Sequence, residues 1–293
     1  MKKVVVIGGS GFLGSTLADC LSNSGYKVSI YDQKQSKWLR SDQRMIIGDI
    51  LDENHLINSI AGANYVFNFA GISDLNDCLS QPKETVAANI MGNVNVLEAC
   101  IKNKVTKLFY ASTVYVYSLE GGFYRCSKQA AESYVEEYNK RFGLNYTIMR
   151  FGSLYGPRSN EKNGLYRLAS SAISEKRISY HGHIDTMREY IHVEDAARAC
   201  VEILESNAFL NENVVLTGQE PMKVRDMIKM MAEIMGIPPE NIQFTGEQVV
   251  GHYVRTPYAF QPRLGRKYRS QTHVDLGQGL LQLIDYISKN REA

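Results

Sequence analysis

Gly8-Gly9-Ser10-Gly11-Phe12-Leu13-Gly14 follows the apolar run Val4-Val5-Val6-Ile7 and opens a helical periodicity near Leu13–Ser24. This G-x-x-G-x-x-G pattern between a strand and a helix constrains the fold more than any other feature. Glycines let the backbone turn tightly and approach a pyrophosphate, and the helix N-terminus offers N–H donors and positive dipole. Gly8, Gly11, Phe12, Leu13 and Gly14 are therefore candidate cofactor contacts. A glycine-rich turn without a ligand is the plainer alternative, and its position after an N-terminal strand argues against it.

The first half continues as strand–helix alternation. Strands are predicted over Lys3–Ile7, Lys27–Tyr31, Gln43–Ile47, Tyr65–Phe69, Lys107–Ala111 and Asn145–Arg150. Helices are predicted near Leu13–Ser24, Glu53–Ser59, Pro82–Lys102 and Tyr124–Phe142. Such alternation predicts an α/β chain with a Rossmann-type, doubly wound parallel sheet. After Arg150 the pattern loosens into helices near Leu165–Ser174, Val224–Met235 and Asp275–Lys289, with strands near Arg188–Val193 and Asn213–Leu216. We expect residues 1–151 to form the dinucleotide domain, joined again by a segment near 188–204. Residues 152–293 are expected to form mainly a smaller, mixed α/β substrate-binding domain.

Composition narrows the class. A chain of 293 residues that is 44% hydrophobic can bury a sizeable core. A net charge of +2 argues against a nucleic-acid binder. Five scattered cysteines without C-x-x-C spacing suggest a reducing, cytoplasmic compartment and no zinc site. The apolar start breaks at Gly8, too short for a secretory signal, and no run reaches the roughly 20 residues of a membrane span. His181, His183 and His192 lack metal-ligand spacing, and Trp38 and Met227, Met230, Met231 and Met235 read as packing residues.

Asp32 ends the second strand, about 20 residues after the last glycine, where a carboxylate accepts ribose hydroxyls and repels a 2′-phosphate. This favours NAD over NADP, although Lys34 and Lys37 lie close and a turn-capping role is open to an Asp. Tyr124 and Lys128 stand four apart, on one face of a helix. A neighbouring ammonium favours the phenolate and lowers a tyrosine from ~10 towards neutrality. Such a tyrosine can take a proton from a sugar hydroxyl. Taken alone, the spacing also suits a solvated helix face.

Together these residues resemble the extended short-chain dehydrogenase/reductase family, the NAD-dependent nucleotide-sugar epimerases and dehydratases. Gly48-Asp49-Ile50 sits where the family contacts adenine, Asn68-Phe69-Ala70-Gly71 resembles the segment beneath the dinucleotide, and Asn89 matches a helix Asn beside the catalytic region. Ala111-Ser112-Thr113-Val114-Tyr115-Val116-Tyr117-Ser118 is similar to S-[ST]-x-x-V-Y-G, and Tyr124 and Lys128 match Y-x-x-x-K, trailed by Glu132. Arg150–Arg158 resembles R-x-x-N-x-Y-G-P-R, and Arg188–Asp195 resembles R-[DE]-[FY]-I-H-V-x-D.

The resemblance implies that Asp49, Ile50, Ala70, Gly71, Asn89 and Ser112 are cofactor contacts, with Tyr124 the base, Lys128 the ribose anchor and Thr113 the orienting hydroxyl. Ser153 and Arg188 are the implied substrate contacts. Arg188 is read as gripping a diphosphate, against an ion pair with Glu189 or Glu194. The cluster Arg263, Arg266, Lys267 and Arg269 either adds charge there or forms a solvated loop.

Three departures bear on the chemistry. The 119–123 loop is short, Ser153 replaces the usual Asn, and Val114-Tyr115 follows Thr113 where 4,6-dehydratases carry acids. The implied activity is therefore 4-epimerisation of a nucleoside-diphosphate hexose through a transient 4-keto sugar, in surface-polysaccharide synthesis. The alternatives are a dehydratase or 4-keto-sugar reductase, with Tyr115 or Cys126 as an unusual acid, and a non-catalytic NAD(H)-sensing scaffold. By the same resemblance, the chain is expected to form a homodimer through the helices near 82–102 and 124–142.

Overall fold

The computed structural model describes residues 1–246, 252 and 265–290. Its strands are β1 (Lys3–Ile7), β2 (Lys27–Asp32), β3 (Arg44–Ile47), β4 (Tyr65–Asn68), β5 (Lys107–Thr113), β6 (Tyr146–Phe151), β7 (Ser153–Tyr155) and β8 (Ile178–Tyr180). They continue as β9 (Met187–Arg188), β10 (Tyr190–His192), β11 (Glu212–Leu216), β12 (Met222–Lys223), β13 (Ile242–Phe244) and β14 (Arg266–Lys267). The helices are α1 (Phe12–Asn23), α2 (Glu53–Ser59), α3 (Leu75–Ser80), α4 (Pro82–Val86), α5 (Gly92–Lys102), α6 (Gly122–Phe142), α7 (Gly164–Glu175), α8 (Val193–Glu205), α9 (Val224–Met235) and α10 (Leu276–Lys289).

Eight strands form one parallel sheet in the order β14-β11-β6-β5-β4-β1-β2-β3. This is the Rossmann-type doubly wound sheet expected from the sequence. The chain winds outward from β1 in both directions, so β1 and β4 flank the point where strand order reverses. Ligands of open α/β sheets bind at the C-terminal strand ends at such a point.

Apolar runs buried on both faces make this a two-sided core. On one face α1 and α8 cover Val4, Val6, Phe67 and Phe109, with Phe67 stacked on Phe109 at 4.3 Å between centroids. On the other, α2, α5 and α6 cover Val5, Ile7, Leu108 and Ile148. A third apolar cluster joins α7, α9 and α10, where Met227 and Met231 are fully buried.

Several elements differ from expectation. The single helix expected over Pro82–Lys102 is interrupted by a π-helical turn over Ala87–Met91. A short helix over Leu75–Ser80, unforeseen, starts where the Asp74 carboxylate caps the amides of Asn76 and Asp77. The strand expected over Arg188–Val193 is two: β9 runs antiparallel to β12, and β10 runs parallel to β7. β11 joins the main sheet between β6 and β14.

One buried ion pair ties α6 to the sheet. Arg150 on β6, 2% exposed, donates from Nε and Nη2 to the two carboxylate oxygens of Glu132 at 2.9 and 2.6 Å. Its Nη1 donates to the Tyr117 hydroxyl at 2.6 Å. Removing one member of a buried pair leaves an uncompensated charge. Glu132→Ala should therefore lower the unfolding free energy by about 3–5 kcal/mol, measured by urea denaturation. A loss below about 1 kcal/mol, the range of exposed pairs, would show that water relieves Arg150.

Candidate active site

The glycine turn is a backbone cradle. Gly8 has φ +77°, and a Cβ on it would lie 2.6 Å from the Ala70 amide nitrogen. A Cβ on Gly14 would lie 2.4 Å from the Gly8 carbonyl oxygen. Side chains are excluded where the loops after β1 and β4 meet. No side chain caps α1, whose N-cap is Gly11, so the Phe12 and Leu13 end of the helix presents bare backbone.

Asp32 closes β2. Its carboxylate accepts the Ser10 amide at 3.0 Å and the Lys34 amide at 3.1 Å. Each oxygen keeps lone-pair capacity for hydroxyl donors, so the turn-capping and ribose-binding readings are compatible. Asp49 accepts from the Leu51 amide and the Gln33 amide group, and Ile50 beside it is buried. These features fit a dinucleotide: a side-chain-free cradle, a bare helix N-terminus and a carboxylate at the end of β2.

Asn89, expected as a cofactor contact, is bound to protein partners. It lies in the π-helical turn, accepts the Ile72 amide at 2.7 Å, and donates to the Ile72 carbonyl and the Ser127 hydroxyl, both at 2.9 Å. Both its amide hydrogens are thus committed to protein partners. It clamps the loop carrying Ala70 and Gly71 to the residue before Lys128. π-turns of this kind are frequent at functional sites.

Thr113 ends β5, and Tyr124 and Lys128 occupy successive turns of α6. A side-chain hydrogen bond joins Thr113 to the Tyr124 phenol. Lys128 is buried, donates to the Ala111 carbonyl at 2.8 Å, and lies 4.8 Å from the centre of the Tyr110 ring. The Ser112 hydroxyl is buried with no partner among the described residues.

The expected lowering of the Tyr124 pKa by Lys128 is overturned. Burial pushes the phenol up to about 12, the Thr113 hydrogen bond opposes this, and Cys78 adds to it. Burial also pulls Lys128 down to about 8, against Glu132 and Cys78. Desolvation outweighs the pair because the ammonium bonds a backbone carbonyl instead of stabilising the phenolate.

The substrate-side residues are spread more widely. Ser153 begins β7, just past the C-terminal end of β6, and its amide donates to the Glu189 carbonyl. Arg188 lies on β9 and donates to the Met187 carbonyl at 2.9 Å. Glu189 also bonds Lys267 at 3.1 Å, and Glu194 lies 3.9 Å from Arg198. Arg266 lies over the Phe209 ring, so Arg266 and Lys267 serve the edge of the sheet rather than a loop; Arg263 lies outside the described residues.

His192 is a core residue, 1% exposed, which burial and Arg198 push down to about 4. Trp38 packs under Arg158. Between α1 and α8 opens a cavity of about 560 Å³ lined by Asp19, Cys20, Arg158 and Arg198. Neither it nor the small cavity beside His192 includes Thr113, Tyr124 or Lys128.

Tyr115, read from the sequence as an unusual acid, has a partner that the sequence did not point to. The Tyr115 ring stands edge-on to Tyr124, 6.2 Å between centroids, and its hydroxyl is 3.1 Å from His252 Nδ1. His252 is more than 100 residues away in sequence, and no local spacing announced it.

A family model for the NAD dependent epimerase/dehydratase family matches residues 4–216, ending where β11 ends. The dTDP-glucose 4,6-dehydratase of Mycobacterium tuberculosis is 23% identical, over 98% of this chain and 94% of its own length. A solved UDP-glucose 4-epimerase of Thermotoga maritima, with UDP-glucose, superposes at a TM-score of 0.86 with 23% identity, covering 99% of each chain. The UDP-glucuronic acid 4-epimerase of Bacillus cereus, in complex with UDP-glucuronic acid and NAD, gives 0.85 with 25% identity, over 98% of this chain and 99% of its own.

The lowered Lys128 pKa has a consequence for stability. Between about 8 and the ordinary value of 10.5, the unfolded chain holds a proton that folded Lys128 has released. Stability from this group therefore rises with pH through that window. Buried Lys107, also pulled down to about 8, acts in the same direction, and Tyr124 opposes only above its ordinary 10.0. Urea denaturation of the cofactor-free protein should show wild type gaining more than Lys128→Met between about pH 8 and about pH 10. Parallel curves would mean that Lys128 keeps its proton when folded.

Proposed function

The chain belongs to the NAD-dependent epimerase/dehydratase family, and from that premise we propose that it is an NAD-dependent nucleotide-sugar 4-epimerase. One observation carries the choice within the family: Val114 and Tyr115 follow Thr113, so no carboxylate is available there to drive elimination of water. The solved epimerases with UDP-sugars support a UDP-hexose as substrate. Elimination is a second reading, favoured by the dehydratase relative.

The residues divide the work as follows. The cradle of Gly8, Gly11 and Gly14 and the Phe12 and Leu13 end of α1 hold the pyrophosphate. Asp32 accepts the adenosine ribose hydroxyls and so selects NAD over NADP. Asp49 and Ile50 would contact the adenine, and Ala70, Gly71 and Ser112 would line the rest of the dinucleotide. NAD⁺, when bound, supplies the hydride acceptor for the C4 hydrogen and a positive charge that favours the Tyr124 phenolate. Tyr124 takes the proton of the C4 hydroxyl and returns it. Thr113 orients that oxygen, and Lys128 anchors the nicotinamide ribose. Arg188 and Ser153 face the diphosphate and sugar.

The chain is proposed to act in the cytoplasm. All five cysteines are free thiols, and no helix among the described residues is long and apolar enough to cross a membrane.

Tyr124→Phe should keep NAD bound yet lose ~10²–10⁴-fold in kcat for UDP-hexose interconversion, followed by NMR. Activity near wild type would remove Tyr124 from the proton path. We also propose a homodimer through the faces of α5 and α6, supported by exposed Met91, Tyr134 and Phe142. Light scattering should give twice the mass of the chain; a monomer would contradict this.

A further inference from the structure

Tyr115 and His252 form a pair beside the Thr113–Tyr124 site. Tyr115 lies in the turn over Val114–Tyr117, its amide donating to the Thr113 hydroxyl at 3.3 Å. The short 119–123 loop makes room for its ring. Gly121 has φ +94°, and a Cβ there would lie 2.7 Å from Tyr115 Cδ1. The Tyr115 hydroxyl and His252 Nδ1 are 3.1 Å apart, with ring centroids at 6.5 Å.

Arg188, Arg167 and Asp74 all lie within electrostatic reach of His252. Tyr115 thus stands between the Tyr124 ring and the His252 imidazole, with Arg188 within electrostatic reach of the latter. Burial first, then Arg188 and Arg167, push His252 below its ordinary value, with Asp74 opposing, so the imidazole is neutral at neutral pH.

We infer that Tyr115 and His252 are a second acid/base pair that removes and returns a proton on a ring carbon next to the sugar carbonyl. This rests on the reading that a 4-keto sugar occupies the Thr113–Tyr124 site. The Tyr115 oxygen takes the proton from C3 or C5, while its own phenolic proton passes to His252 Nδ1. The C–H electron pair becomes the C=C bond of an enolate. The carbonyl π pair moves to oxygen, held by the Thr113 and Tyr124 hydroxyls. Reversal restores the ketone, and the carbon is labelled when the proton held on the Tyr115 oxygen exchanges with water during the lifetime of the enolate. No further reactant is needed.

The test supplies the ketone directly. The purified protein is incubated with UDP-4-keto-6-deoxyglucose in D₂O, and the C3 and C5 protons are followed by NMR. Deuterium is expected at one of these carbons at least about a hundredfold faster than without protein, the low end of acid/base effects. Tyr115→Phe and His252→Gln should each return the rate towards background. Wild-type exchange at the protein-free rate overturns the inference, as does a well-folded Tyr115→Phe or His252→Gln that exchanges like wild type. Interconversion of UDP-hexoses is assayed separately, because the 4-keto probe bypasses the C4 oxidation; its failure would count against the epimerase reading instead.

Discussion

The geometry of the site depends on the buried pair of Arg150 and Glu132. It pins α6 to β6, and the Tyr117 hydroxyl, which also accepts the Gly265 amide at 2.6 Å, extends the tie towards β14. Lys128 lies one turn of α6 before Glu132, and Tyr124 a turn before that. A helix fixed at Glu132 therefore sets the height of both above the sheet. Two further ties finish the placement: Lys128 to the Ala111 carbonyl and Asn89 to Ser127. Buried charge is costly unless fully paired, and here it holds a helix in register with the strand ends.

The same burial that secures the helix sets the electrostatics. Thr113, Tyr124 and Lys128 sit in surroundings that disfavour charge, so the phenol is pushed up and the ammonium down. The apparatus is poised towards neutrality before a cofactor arrives. In the proposed reaction, the positive charge of NAD⁺ would favour the Tyr124 phenolate that burial disfavours.

Much of the fold was legible because parallel sheets write themselves locally. Val4–Ile7 with its glycines, Asp32 at a strand end, and Thr113 ahead of Tyr124 all follow from runs of a few residues. What escaped the sequence depends on distant partners. The π-turn at Asn89 exists where that side chain reaches Ile72 and Ser127. The spacing of Tyr124 and Lys128 gives their shared face but not that the lysine bonds Ala111. His252 reaches the site from a part of the chain with no motif, and Tyr115 acquires meaning only beside it. The motifs of the candidate site were readable; its electrostatics and the contact of Tyr115 with His252 were tertiary.

The proposed chemistry at C4 is redox-neutral and eliminates no water. A UDP-hexose carrying deuterium at C4, incubated with the purified protein and analysed by NMR and mass spectrometry, tests it most directly. The account predicts two C4 epimers of equal mass, both with deuterium still on C4. Deuterium on C6 of a product lighter by one water, or deuterium appearing in released NADH, would contradict it.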